Sequence, residues 1–237
     1  MSLMFEEIDY RKTSIGELIL RRRRLRADGD DIWEIKLNDG YLMSSEFVDG
    51  EIALADLALA MIEGDGLDVV VGGLGLGYTA EAVLRDPRVA SLTVVELIPE
   101  VVEWHQKRLL PLGEAVAGDA RCSLLRGDFF ALAQAPGGFG ETCDGGHDAI
   151  IVDIDHSTTH FIDDASAGFY SAQAIAAMTA HLRPGGIFAL WSTDAEDPAF
   201  VDAMRTTLTD VQVERVEFQT PYRETPAFNL IYLGRRT

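Results

Sequence analysis

The fold of this chain is decided by residues 69–78, Val69-Val70-Val71-Gly72-Gly73-Leu74-Gly75-Leu76-Gly77-Tyr78. An apolar strand here enters a glycine turn, and a helix is predicted from about Thr79 to Leu84. Glycines allow backbone N–H groups to approach a ligand with a helix N-terminus behind them, although a tight turn also uses glycine for geometry alone. Tyr78 stands where a dinucleotide-binding turn has its third glycine or alanine, which disfavours NAD and FAD. The turn alone therefore does not identify the ligand, and the residues around it carry the further evidence.

Apolar segments alternate with helical patterns on both sides of this turn. A pattern of short strands separated by helices is typical of a parallel sheet covered on both faces. Two further segments near the C-terminus predict an antiparallel pair at the sheet edge. The strands are predicted at Leu67–Val71, Ser91–Glu96, Ser123–Leu125, Asp148–Asp153, Gly186–Ser192, Val211–Phe218 and Phe228–Leu233. We therefore expect an α/β fold with a Rossmann-like sheet of about seven strands.

The N-terminal part has a different pattern. Residues 15–45 alternate with period two between turns at Asp28–Asp31 and Asn38–Gly40, which predicts a small β-meander. Helical spacing begins at Glu51, so we expect a β-meander over residues 1–50 and a Rossmann-like domain over residues 51–237.

Arg21-Arg22-Arg23-Arg24 lies within a predicted strand and indicates a solvated edge or an interface with an acidic partner copy.

Composition excludes several classes of protein. With 20 Lys and Arg against 39 Asp and Glu, the net charge is −19, which repels phosphate backbones and favours cationic partners. No apolar run approaches the length of a membrane span, and no leader pattern stands at the start. The two cysteines show neither metal nor disulfide spacing. We expect a cytoplasmic protein that binds neither nucleic acid nor membrane and holds no metal.

Acidic residues follow successive predicted strands, at the edge where open α/β sheets bind ligands. Glu96 lies 19 residues after Gly77, close to the spacing of about 20 at which a carboxylate binds ribose hydroxyls. Asp128 and Phe129 end the next strand, so Asp128 is a candidate for the adenine amino group and, equally, for the N-cap of a helix. The predicted nucleotide contacts are thus Gly73, Gly75, Gly77, Glu96, Asp128 and Phe129.

A further strand ends in Asp153-Ile154-Asp155-His156. Carboxylates at this edge attract an ammonium group and accept its proton as the amine attacks a sulfonium carbon. Asp153 and Asp155 are therefore the candidate catalytic acids, with Asp153 preferred because it ends the strand. His156 is a substrate contact or a polar loop residue.

Together these residues resemble the spermidine synthase-like branch of the S-adenosylmethionine-dependent methyltransferase fold, over roughly residues 15–233. The resemblance rests on the β-rich N-terminal piece, Val71-Gly72-Gly73, Glu96, Gly127-Asp128 and Asp153, with Phe169-Tyr170 and Leu182-Arg183-Pro184-Gly185-Gly186 further on. It implies aminopropyl transfer from decarboxylated S-adenosylmethionine to an amine, the nucleotide on the glycine turn, Asp153 as catalytic aspartate, and a homodimer.

The chain departs from that family at three places. Gly75 stands where spermidine synthases have an aspartate in the glycine turn, and Gly50-Glu51-Ile52 replaces their Tyr-Gln/His-Glu motif. Asp155 also follows Asp153 by two residues rather than three. Glu51, Asp153 and Asp155 still form a possible acidic amine site. Three functions stay open: aminopropyl transfer, methyl transfer from S-adenosylmethionine to a small molecule, and nucleotide binding without catalysis.

Overall fold

The computed structural model describes residues 5–25, 29–140, 145–154 and 171–237, which contain two β-sheets. The N-terminal sheet is antiparallel, with its four strands in chain order. They are β1 (Phe5–Thr13), β2 (Gly16–Arg23), β3 (Ile32–Leu37) and β4 (Gly40–Ser44). The predicted β-meander is confirmed, and β1 is an additional edge strand. Its alternation is masked in the sequence because charged residues occupy both of its faces.

The second sheet has seven strands in the order β10-β11-β9-β8-β5-β6-β7. These are β5 (Leu67–Gly72), β6 (Val89–Glu96), β7 (Cys122–Arg126), β8 (His147–Val152), β9 (Leu182–Ser192), β10 (Leu208–Phe218) and β11 (Ala227–Arg236). β5 to β9 are parallel, whereas β11 is antiparallel to both β9 and β10. The predicted Rossmann-like sheet with its antiparallel edge pair is therefore confirmed.

Helices cover both faces of the large sheet because its central strands are apolar on both sides. Alternate residues of β5 belong to different cores: Val69 and Val71 face one, and Val70 faces the other. The first core also contains the N-terminal sheet. The helices are α1 (Asp49–Ala60), α2 (Tyr78–Arg85), α3 (Pro99–Gln106) and α4 (Gly113–Ala117) on the first face, and α5 (Phe129–Gln134), α6 (Ala172–Thr179) and α7 (Pro198–Met204) on the second. None of the helices in these ranges is long and apolar enough to cross a membrane.

The strand predicted at Gly186–Ser192 begins earlier, at Leu182, so Arg183–Gly186 lies within β9. Leu182 already pairs with His147, and the ladder resumes where Ile187 pairs with Ala149. Gly185 has a φ of +81°, a conformation that favours glycine, so the segment bulges between two paired parts of one strand.

Arg21, Arg22 and Arg23 lie on a central strand, not an edge, because β2 pairs with both β1 and β3, and Arg24 directly follows that strand. Their carboxylate partners lie within the chain. Glu34 accepts from Arg21 Nε at 2.5 Å and from Arg23 Nε at 2.6 Å, while Arg22 and Arg24 both reach Asp31. The arginines therefore hold the N-terminal sheet together.

We predict that Glu34→Gln lowers the free energy of unfolding by about 2–3 kcal/mol, because it leaves two partly buried guanidinium groups without their shared carboxylate. Glu34 itself is fully buried. Urea unfolding measures the change. Glu217→Gln is the control, since Glu217 pairs with Arg215 in the open, with side-chain exposures of 55% and 52%. Equal small losses in both variants would contradict the prediction.

Candidate functional site

A cavity of about 350 Å³ lies at the carboxyl ends of β5, β6, β7 and β8. Each of these strand ends contributes a predicted site residue: Gly73, Glu96, Asp128 and Asp153. The N-terminal sheet covers the opposite side with apolar side chains, including Leu37, Leu42 and Met43. The two sheets therefore enclose the cavity between them.

Gly73 and Gly75 of the glycine turn line one wall of this cavity, whereas Gly77 lies outside the lining, and the backbone favours glycine at all three positions. Gly73, Gly75 and Gly77 have φ values of +92°, +47° and +95°. At Gly73 a Cβ would lie 2.0 Å from the Asp153 carbonyl oxygen, and at Gly77 one would lie 2.8 Å from His105 Cε1. Gly77 is the N-cap residue of α2, so the turn leads into a helix N-terminus, as predicted.

Glu96 is buried beside the turn, with both carboxylate oxygens hydrogen-bonded to backbone N–H groups. Oε2 accepts from Leu74 N at 3.0 Å and Gly75 N at 3.4 Å, and Oε1 accepts from Ile98 N at 2.8 Å. Burial raises the pKa of Glu96, and these amide bonds oppose that rise. Glu96 thus supports the glycine turn as well as lining the cavity, and its contact with ribose remains a prediction.

Asp128 is exposed at the rim and caps α5. Its Oδ1 accepts from Phe130 N at 2.9 Å and Ala131 N at 3.2 Å, which is the N-cap that the sequence predicts. Phe129 is buried, stacks on Phe139 at a centroid distance of 4.9 Å, and lies where a Cβ on Gly72 would clash. The adenine and nucleotide contacts of Asp128 and Phe129 remain predictions.

Glu51 and Asp153 meet at the deep end of the cavity, and we call them the acidic pair. Asp153 is partly exposed only toward the cavity, and Glu51 lies in the first turn of α1. Burial raises the pKa of both carboxyl groups, and the negative charge of Asp153 raises that of Glu51 further. Two carboxyl groups so placed titrate as a coupled pair, and ionisation of one disfavours ionisation of the other.

Thr79 is buried behind the acidic pair, and the sequence gives no indication of its contact with Asp153. Its Oγ1 donates to Asp153 Oδ2 at 2.5 Å and lies 3.4 Å from the Glu51 carbonyl oxygen. This hydrogen bond lowers the pKa of Asp153 and opposes the effect of burial. A threonine in the first turn of a predicted helix gives no local signal of such a role, because the contact depends on the strand 74 residues further on.

The remaining predicted site residues, Asp155 and His156, lie outside the described residues. Within the ranges that are described, no group of three or more His, Cys, Asp or Glu side chains is arranged to hold a metal ion.

The chain was compared with known proteins, and no protein-family model matches it. It is 32% identical over 127 residues to a polyamine aminopropyltransferase of Corynebacterium efficiens, a match covering 54% of this chain and 22% of that protein. It is 33% identical over 119 residues to putrescine N-methyltransferase 1 of Nicotiana tabacum, covering 50% and 28%. The chain therefore matches less than a third of the length of these relatives.

Among solved structures, the spermidine synthase of Thermotoga maritima superimposes with a TM-score of 0.72 and 16% identity, covering 98% of this chain and 73% of that one. Fold and cavity define a Rossmann-like domain of the methyltransferase type, preceded by a small antiparallel sheet. Within that class the fold is similar to that of spermidine synthase, in agreement with the resemblance seen in the sequence.

The acidic pair makes stability depend on pH. The folded-state pKa values are raised above the unfolded values of about 4, so the folded protein favours the protonated acids. The contribution of the protonated pair to the free energy of unfolding is therefore complete below pH 4 and is lost as the pH rises through the folded pKa values. We predict that Glu51→Gln, which mimics the protonated acid, is more stable than the wild type at pH 8 by about 2 kcal/mol and close to it at pH 5.

Chemical unfolding at intervals between pH 5 and pH 8 measures this difference. The matched control is Asp56→Asn on the exposed side of the same helix, α1. Its difference from the wild type should stay constant with pH. A Glu51→Gln difference that does not grow between pH 5 and pH 8 would contradict the prediction.

Proposed function

We propose that this chain transfers an aminopropyl group from decarboxylated S-adenosylmethionine to an amine acceptor. This proposal rests on the negative charge of the side chains that line the cavity. Its described lining holds four carboxylates, those of Glu51, Glu96, Asp128 and Asp153, and no lysine or arginine. A sulfonium donor with a free ammonium group suits such a lining, whereas a donor carboxylate would meet like charge.

In this proposal the nucleotide lies along the glycine turn. The ribose hydroxyls bind Glu96, and the adenine lies against Asp128 and Phe129 at the rim. Asp128 Oδ1 already accepts two backbone N–H groups, so Oδ2 is the oxygen assigned to the adenine amino group. The left-handed conformations of Gly73 and Gly75 allow the tight turn along which the nucleotide is proposed to lie.

The transfer itself is a single displacement. The acceptor nitrogen attacks the carbon next to sulfur, a C–N bond forms as the C–S bond breaks, and methylthioadenosine leaves as a neutral thioether. Asp153 accepts the proton released by the nitrogen, because its raised pKa suits a base near neutral pH and Thr79 fixes one of its oxygens. Positioning of the two reactants supplies most of the acceleration. Asp155 as a second acid and His156 as an acceptor contact remain part of the proposal.

Methyl transfer is the second candidate, favoured by the similarity to putrescine N-methyltransferase 1 of Nicotiana tabacum. The same nucleotide contacts and the same base serve both reactions. They differ in the donor, since S-adenosylmethionine keeps the carboxylate that the acidic cavity disfavours. Donor preference therefore separates the two candidates.

We also propose that the protein is cytoplasmic and forms a homodimer through the N-terminal sheet. Phe5 and Tyr10 on edge strand β1, and Tyr41 on edge strand β4, are exposed, with relative exposures of 51%, 39% and 53%. Aromatic side chains on an unpaired strand edge favour association with a second copy. The charge of −19 disfavours nucleic acid as a partner.

We predict that decarboxylated S-adenosylmethionine binds at least tenfold more tightly than S-adenosylmethionine. Calorimetric titration of the full chain with each donor measures the two dissociation constants. A preference for S-adenosylmethionine would support methyl transfer instead. Binding of neither nucleotide would overturn the proposed function.

We further predict that Asp153→Asn lowers kcat by about 10²–10³, because the amide cannot accept the proton. The dissociation constant of the donor should change by less than about threefold, since Asp153 is not assigned to the nucleotide. Asp202→Asn, at a side chain 77% exposed on α7, is the control and should retain full activity. An Asp153→Asn protein with unchanged kcat would exclude Asp153 as the base.

A further inference from the structure

The cavity has two chemically different ends. The acidic pair lies at one end, and the side formed by the N-terminal sheet is apolar. Ile35, Leu37, Leu42 and Met43 form this side, which we call the apolar wall. An acceptor that reaches the acidic pair must therefore place the rest of its body near apolar side chains.

Met43 is the residue of the apolar wall that contacts the glycine turn. Its Sδ accepts from Leu76 N at 3.0 Å, and a Cβ on Gly75 would lie 2.6 Å from the same sulfur atom. The thioether therefore occupies the space that a side chain at position 75 would need. The aspartate that the family resemblance leads one to expect at this position is replaced by glycine, and its place is taken by Met43 on β4.

The carboxylates of the described lining are not equally available to a cation. Three backbone N–H groups already occupy the oxygens of Glu96, and two occupy Oδ1 of Asp128 at the rim. The acidic pair has less backbone compensation, because Asp153 accepts from the Thr79 hydroxyl and is destabilised as an anion by burial. A cationic amine is thus best neutralised at the acidic pair.

We propose that the acceptor is an amine with one ammonium group and an apolar body, such as an alkylamine or arylalkylamine. This inference rests on the proposed function and names its substrate class. The nitrogen meets the acidic pair, and the body of the acceptor packs against Leu42 and Met43. A second ammonium group on the same molecule would lose its water against the apolar wall, whose described residues offer it no charged partner.

The test compares hexylamine with 1,6-diaminohexane, each titrated into the full chain saturated with methylthioadenosine. Both probes have the same carbon chain and differ in the second ammonium group. We expect hexylamine to bind at least tenfold more tightly. Equal binding, or tighter binding of the diamine, would overturn the inference.

The variant Met43→Glu tests whether the apolar wall causes the preference for hexylamine over 1,6-diaminohexane. It places a carboxylate of similar length beside the turn and is expected to reverse the preference, weakening hexylamine and strengthening the diamine by about tenfold each. Met43→Gln is the matched neutral control and should not strengthen the diamine. A folded Met43→Glu protein that keeps the wild-type preference would contradict the inference, and the wild-type comparison stands if this variant does not fold.

The two proposals fail in different ways. If neither donor nor methylthioadenosine binds, the proposed function fails, and the inference on the acceptor falls with it. If the nucleotides bind and the diamine is preferred, the proposed function stands and only the inference fails.

Discussion

At Gly73 the backbone passes so close to the carbonyl group of Asp153 that a Cβ would lie 2.0 Å from its oxygen, and the arrangement of the cavity depends on this approach. Two hydrogen bonds fix it: Gly73 N donates to Val95 O at 2.9 Å, and Asp153 N donates to Gly72 O at 2.8 Å. Three neighbouring strand ends are thereby held in register. The turn, the ribose candidate Glu96 and the acidic pair all take their positions from these ends.

Burial raises the pKa of Glu96, Glu51 and Asp153 alike, but the hydrogen bonds that these carboxyl groups accept differ. Glu96 is buried, but backbone N–H groups surround it, so its charge stabilises the turn that donates to it. Among the described residues, Asp153 and Glu51 have fewer backbone donors than Glu96, and the charge of Asp153 adds to the effect of burial on the pKa of Glu51, so the pair is suited to exchange a proton. The number of described backbone N–H donors therefore distinguishes Glu96, which supports the glycine turn, from the acidic pair, which is suited to proton transfer.

Much of this arrangement could be predicted from local sequence. The apolar strand ending in Gly72-Gly73, the acids at the strand ends and the N-cap at Asp128 are short-range patterns with a direct physical cause. The contacts of Thr79 and Met43 could not be predicted, because each depends on a partner that is distant in the chain. The same holds for Glu34, whose arginine partners lie on the neighbouring strand at an offset that only the register defines. Edge strand β1 was missed because charged residues on both faces conceal its period.

The N-terminal sheet shares the first hydrophobic core with the larger unit, and polar contacts add to this attachment at a few points. Trp104 Nε1 donates to Asp9 at 2.7 Å, Arg11 pairs with Glu103 at 3.3 Å, and Tyr222 donates to Glu46 at 2.5 Å. A ligand in the cavity would touch both units at once, so its binding energy and the docking of the sheet are thermodynamically linked. A ligand that fills the space beneath β4 would therefore slow the detachment of the N-terminal sheet. A mutation that weakens the attachment of the sheet would likewise lower the affinity of the cavity for its ligand.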